Sequence, residues 1–242
     1  MRDSCRIAAE VLQRVCEMVA PGVSTQQLDE AAAKFMAEAG AKSACYQYRI
    51  GNRTFPSHTC LSVNEEVVHG IGRPDRILQL GDSITVDVCV MYNGYIGDNA
   101  RTVPVGPVAP EIQRLLKVTE DALYLGIEKA HAGNKVRDIA ATVQDFVERN
   151  QMTVVREFVG HGVGRSMHEE PQVPNYRTNG TGKKLQPGMT IAIEPMVNLG
   201  RSDIEVLSDG WTAVTRDRSP SAHFEHTVLI TTSGPEILTK VA

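Results

Sequence analysis

The chain repeats itself. Between Ser4 and Ala20 the apolar residues Ile7, Ala8, Val11, Leu12, Val15, Cys16 and Val19 recur at three- and four-residue steps, an amphipathic helical pattern closed by Pro21-Gly22. Ser24 and Thr25 offer N-caps for a second helix through Leu28, Ala31, Ala32, Phe35 and Met36, ending at Gly40. The segment from Glu111 to Asn150 repeats the arrangement: one helix ends near Gly133, and a second runs through Val136, Ile139, Ala140, Val143, Phe146 and Val147. A shift of 111 lays Gly22 on Gly133, Leu28 on Ile139 and Phe35 on Phe146. The strands that follow also correspond. Gln79-Leu80-Gly81-Asp82-Ser83-Ile84-Thr85-Val86-Asp87 resembles Gln186-Pro187-Gly188-Met189-Thr190-Ile191-Ala192-Ile193-Glu194 at a shift of 107, and a carboxylate ends both segments. Alternation of Ile84, Val86, Val88 and Val90 marks half-buried strands. The expected fold class is α+β, with duplicated helix pairs covering one face of an antiparallel sheet. Residues 1–242 are expected to form a single domain with halves of roughly 1–105 and 106–242, related by a pseudo-two-fold that brings their carboxylates to one centre.

Composition limits what that centre serves. With 25 Lys+Arg against 29 Asp+Glu, the net charge of −4 offers no electrostatic footprint for nucleic acid or an anionic membrane. A hydrophobic share of 42% is that of a folding chain, not a disordered one. The longest apolar candidate for a membrane span, Ser83 to Tyr92, is broken by Asp87. Met1 to Ala20 carries charges at helical intervals, unlike a secretory signal. Five scattered cysteines, an odd count with no Cys-x-x-Cys pair, read as reduced thiols of a cytoplasmic protein.

The chemistry-bearing residues sit on or beside the expected strands. Asp87 and Asp98 flank Tyr92-Asn93-Gly94-Tyr95, a strong hairpin signal. A two-residue turn there sets Cys89 opposite Asp98 and makes Asp87 the diagonal neighbour of Asp98 on one face, roughly 7 to 8 Å away. Two like charges so close call for a raised pKa or a bound cation. Read alone, the hairpin also fits two exposed strand aspartates. In Gly160-His161-Gly162-Val163-Gly164 three glycines surround one imidazole, as suits close approach to a ligand, although a lone histidine is more often a satisfied polar residue. Glu194 and Glu225 stand at strand ends beside apolar runs. Four carboxylates and one imidazole suit Mn(II), Fe(II) or Co(II) at least as well as zinc, and suffice to bridge two ions.

Asp87 and Asp98 eleven residues apart, Gly160 to Gly164 with His168, Ile193-Glu194-Pro195 and Glu225-His226-Thr227 together resemble the signature of the methionine aminopeptidases over nearly the whole chain. Only thirty residues lie between Glu194 and Glu225, as in the type I branch. The resemblance implies the pita-bread fold and two divalent ions, Co, Mn, Fe or Zn. It implies that Asp87 binds one ion, that His161 and Glu194 bind the other, and that Asp98 and Glu225 bridge them. It further implies that Glu194 relays a proton, that His69 and His168 contact the scissile peptide, and that Phe55, Cys60, His69, Met167 and Trp211 form the methionine pocket. The implied activity is that of a metallo-exopeptidase, a hydrolase removing N-terminal methionine from nascent proteins and peptides whose second residue is small. A cytoplasmic monomer touching the ribosome only transiently, with no nucleic-acid or membrane partner, is expected. Met167 stands where that family often has phenylalanine, Gly72 where it usually has proline, and the loop from Tyr46 to His58 looks longer, either a tolerated surface insertion or a cover over the expected substrate entrance. The rival readings are an Xaa-Pro aminopeptidase or prolidase, whose catalytic domain usually follows another domain, and a binding protein of the same fold that has lost catalysis.

Overall fold

Two helix pairs form where the apolar spacing puts them: α1 (Arg2–Glu17) with α2 (Thr25–Glu38), and α3 (Pro110–Ile127) with α4 (Val136–Arg149). The structure is a computed structural model describing residues 1–180 and 182–241. Ser24 caps α2 with a capping box, its hydroxyl accepting from the Gln27 N–H at 3.2 Å while the Gln27 side chain accepts from the Ser24 N–H at 2.9 Å. Lys135, the matching residue of the second pair, donates its N–H to the Asp138 carboxylate at 2.8 Å. The expectation that the third helix reaches Gly133 is corrected. Lys129 and Ala130 already bond three residues back in a tightened last turn, and Gly133 lies in the connection to α4. There it repeats Gly22 in detail, with φ of 97° against 89°. Gly22 donates to the Leu78 carbonyl at 2.8 Å and Gly133 to that of Leu185 at 2.9 Å.

The strands follow in chain order: β1 (Lys42–Ser43), β2 (Arg49–Ile50), β3 (Arg53–Thr54), β4 (Cys60–Val63), β5 (Glu66–Val68), β6 (Ser83–Tyr92) and β7 (Tyr95–Pro104) before α3. After α4 come β8 (Thr153–Val154), β9 (Gly160–Gly162), β10 (Glu169–Val173), β11 (Thr190–Ile193), β12 (Met196–Asn198), β13 (Ile204–Val206), β14 (Ala213–Thr215), β15 (Ser221–His223), β16 (Glu225–Ile230) and β17 (Pro235–Ile237). The main curled sheet runs β1-β6-β7-β16-β11-β9-β10, with β4 also on β6 and β17 on β16. A pseudo-two-fold passes between β7 and β16, where Ala100 faces Glu225. Matching hydrogen bonds mark it, Thr102 Oγ1 donating to the His223 carbonyl at 2.9 Å and Thr227 Oγ1 to that of Asp98 at 2.8 Å.

Each half has its own apolar layer beneath its helices. In the first, Ile7, Val11, Val15, Leu28 and Met36 pack on Ile84, Val86, Val88 and Val90. In the second, Leu115, Ala122, Ile139 and Val143 pack on Ile191, Ile193, Val228 and Ile230. The central strands are not half-buried, as alternation suggested. Thr85 and Cys89, on the face of β6 away from the helices, are also buried, because loops and short strands close over that side. The alternation thus separates helix-facing from cavity-facing residues rather than core from solvent.

The fit between helix and sheet is tight at Gly97, where an added Cβ would come within 2.3 Å of the Ser4 carbonyl oxygen on α1. Gly97→Ala should therefore cost about 2 kcal/mol and lower the thermal midpoint by several degrees without altering residues of the cavity, as thermal unfolding followed by circular dichroism would measure.

Candidate metal centre

Strand register assembles the centre in one row. Asp87 pairs with Ala100, Ala100 faces Glu225 across the seam, and the pairing of Ile193 with His226 brings Glu194 beside Glu225 one position on. The methyl of Ala100 leaves the middle of the row open. Asp98 pairs with Cys89, so the expected two-residue turn and the diagonal placement of Asp87 and Asp98 hold in the structure. Pairing of Gly162 with Ile191 sets His161 beside the same face. The glycines around His161 answer to space: a Cβ on Gly160 would meet the Ala192 carbonyl oxygen at 2.4 Å, and one on Gly162 that of Glu170 at 2.3 Å.

A cavity of 270 Å³ receives Asp87, Asp98, His161, Glu194 and Glu225 together with His69, His168, Phe55, Cys60, Met167 and Trp211, so the structure gathers every side chain singled out from the sequence. Ligand atoms of Asp98, His161 and Glu225 lie within 4.8 Å of one another. His161 Nδ1 donates to the Gly162 carbonyl at 2.9 Å, which leaves Nε2 as a lone pair, 3.4 Å from Glu194 Oε1 and 3.9 Å from Asp98 Oδ2. Glu225 Oε1 is buried without a hydrogen-bond partner. No lysine or arginine lines the cavity among the described residues. A lone pair and carboxylate oxygens that converge with no cationic side chain beside them are the environment a divalent cation satisfies.

Electrostatics agrees. Burial, and then the other carboxylates, push Asp87, Glu194 and Glu225 well above the usual carboxylate range, and burial, then Cys45, raises Asp98 to about 7. Burial lowers His69 and His161 to about 4 and His223 to about 3. His69 holds a left-handed φ of 60°, which turns its ring edge-on to Phe158 at 5.1 Å between centroids.

Several lining residues escaped the sequence reading. Cys45 and Cys89 join Cys60, so three of the cysteines taken as scattered meet at one cavity as free thiols. His223, buried with neither ring nitrogen bonded, lies 3.6 Å from Glu194 Oε2. Through the seam it is the pseudo-symmetric counterpart of Asp98, the second half presenting an imidazole where the first presents a carboxylate. A lone histidine carries no local signal for this, and only the threonine pair at the seam would have exposed it.

A profile of metallopeptidase family M24 matches residues 1–232. The chain belongs to metallopeptidase family M24. Within the family it is 44% identical to methionine aminopeptidase 1 of Bacillus subtilis, covering 100% of this chain and 95% of that protein. It is also 44% identical to the methionine aminopeptidase of Escherichia coli, covering 99% and 89%. A crystal structure of methionine aminopeptidase from Thermotoga maritima superposes with a TM-score of 0.94 at 41% identity, covering 99% of this chain and 95% of that one. Prolidase from Pyrococcus furiosus, at 22% identity and a TM-score of 0.78 over 100% of this chain and 63% of its own, shares the pita-bread fold.

For this M24 chain the raised carboxylates give the metal-free protein an unusual pH dependence. Unfolded, they ionise near pH 4, whereas the folded protein keeps the Asp98 proton to about pH 7 and holds Asp87, Glu194 and Glu225 well above the usual range, so their contribution to stability falls from about pH 4 upward until the folded carboxylates ionise. The buried histidines act oppositely: their lowered pKa values remove stability as pH falls from about 6.5 toward 4. Between about pH 4 and 6.5 the two effects oppose each other, but above 6.5 the histidines are neutral in both states and only the carboxylates still act, so thermal midpoints of chelator-treated protein should decline from pH 6.5 toward pH 8, and saturating Mn(II) should abolish that decline. A midpoint still rising from pH 6.5 to 8 without metal would contradict the assignment.

Proposed function

We propose that residues 1–242 act as one catalytic domain that removes N-terminal methionine from peptides and nascent polypeptides in the cytoplasm, favouring small second residues. The observation that carries this reading is the row Asp87, Glu225 and Glu194 with Asp98 and His161 in one cavity whose lining is largely apolar. Asp87 would hold one divalent ion, His161 and Glu194 the other, with Asp98 and Glu225 shared between them; the donor set suits Co, Mn, Fe or Zn. Such ions, when bound, supply Lewis acidity that polarises the scissile carbonyl and acidifies water.

The remaining work falls to side chains. Glu194 carries a proton toward the leaving amine, its carboxylate lying between the imidazoles of His161 and His223. His168, at the cavity mouth, and His69, deeper in, donate toward the carbonyl oxygen as it gains charge. Phe55, packed edge-on against Trp211 at 5.3 Å, joins Cys60 and Met167 in an apolar wall that binds one thioether side chain and excludes water. Among the described residues no helix is long and apolar enough to cross a membrane.

Chelator-stripped protein given Mn(II), Co(II), Fe(II) or Zn(II) should release methionine from Met-Ala-Ser and leave Leu-Ala-Ser and Ala-Pro-Ala intact. Asp98→Asn should lower kcat by about 100-fold or more while leaving the fold unchanged. Release from Ala-Pro-Ala would favour the proline-specific reading, and no release with any ion from folded protein would favour a binding protein.

A further inference from the structure

The segment from Tyr46 to His58, legible in the sequence only as a longer loop, folds into a hairpin. Strands β2 and β3 pair Ile50 with Arg53 across the two-residue turn Gly51-Asn52. Below them the Phe55 N–H donates to the Tyr48 carbonyl at 2.8 Å and the Gln47 N–H to that of Phe55 at 3.0 Å. The hairpin is fastened from several sides. Phe55 is buried against Trp211, and the Arg53 guanidinium lies 5.7 Å from the same indole while donating to the Gly210 carbonyl. At the far end the N–H groups of His58 and Thr59 donate to Asp29 Oδ1 on α2, at 2.8 and 2.9 Å. Gly72 makes room for that anchor, since a Cβ there would come within 2.8 Å of Asp29 Cβ. Tyr48 is thereby held at the cavity mouth, its hydroxyl 2.9 Å from His168 Nδ1 and its ring edge-on to the imidazole at 5.6 Å. The His168 ring also packs on His161, with centroids 4.5 Å apart.

We propose that Tyr48 is a positioning residue that fixes His168 as its Nε2–H tautomer, so that the imidazole presents a hydrogen-bond donor to the scissile carbonyl. This rests on the reading of His168 given under the proposed function. A neutral imidazole carries one N–H, and the bond made by one nitrogen decides the state of the other. The phenol is the stronger donor of the pair, and the Tyr48 hydroxyl makes no other hydrogen bond among the described residues. Its proton therefore goes toward Nδ1, and the ring proton stays on Nε2. The opposite tautomer would turn a lone pair toward the carbonyl oxygen just as negative charge develops there.

Two readouts test the proposal: 15N-histidine NMR of the metal-free protein at about pH 8, where an imidazole is neutral, and steady-state kinetics on Met-Ala-Ser with added Mn(II). Tyr48→Phe keeps the aromatic ring and removes the hydroxyl. It should lower kcat about tenfold with KM within about twofold, and should convert His168 from a single Nε2–H pattern to a mixture of tautomers. A raised KM at unchanged kcat with an unchanged His168 pattern would overturn the proposal, leaving Tyr48 as part of the pocket wall. His168→Ala separates the two levels. A wild-type kcat in that variant would overturn the reading of His168 itself, whereas a large loss there with no effect of Tyr48→Phe would overturn only the role of Tyr48.

Discussion

The pairing of β7 with β16, which sets Ala100 against Glu225 and Asn99 against His226, is the joint on which the site depends. Either half alone would leave an open strand edge and only part of the donor set. Joined, they place Asp87, Glu225 and Glu194 in one row, with Asp98 two residues along β7 from Ala100. The arrangement is costly in the absence of a cation. Each carboxylate is desolvated beside others of its charge, and the protein holds it there by burying an apolar layer on the opposite face in each half. Stability is thus concentrated under the helices and chemical tension on the concave side.

Duplication also accounts for the differences between the two sides of the centre. The halves agree where backbone is concerned, in the glycine turns, the helix caps and the threonine bonds across the seam. They diverge where chemistry is concerned. Asp87 corresponds to Glu194, Ala100 to Glu225 and Asp98 to His223, so the second half contributes the longer carboxylates and, in His161, His168 and His223, all the cavity's imidazoles except that of His69. A frame that repeats and a donor set that does not make the two sides of the centre chemically unlike, an aspartate pair on one and longer carboxylates with imidazoles on the other.

Legibility from the sequence follows the range of each interaction. Asp87 and Asp98 are legible because a two-residue turn fixes their register within a few residues, and the helices because their spacing and caps are local. The signature around His161 and Glu194 is recognisable as a resemblance, but their meeting depends on β9 and β16 both pairing with β11, contacts between distant segments. Burial of both faces of β6 is not legible, because alternation does not reveal what covers the second face. His223, Cys45 and Cys89 gave no signal because each joins the cavity through long-range packing alone. Tyr48 belongs with them: the segment that carries it reads in the sequence only as a longer loop, and nothing local indicates that it folds into a hairpin reaching His168.

The most direct test of the centre is anomalous diffraction at the manganese edge from crystals grown with saturating Mn(II). The expected map holds two peaks within the cavity, one beside Asp87 and the other beside His161 and Glu194, both in contact with Asp98 and Glu225. Peaks lying away from these carboxylates, or none at all, would contradict the assembly of the two halves around a shared metal centre.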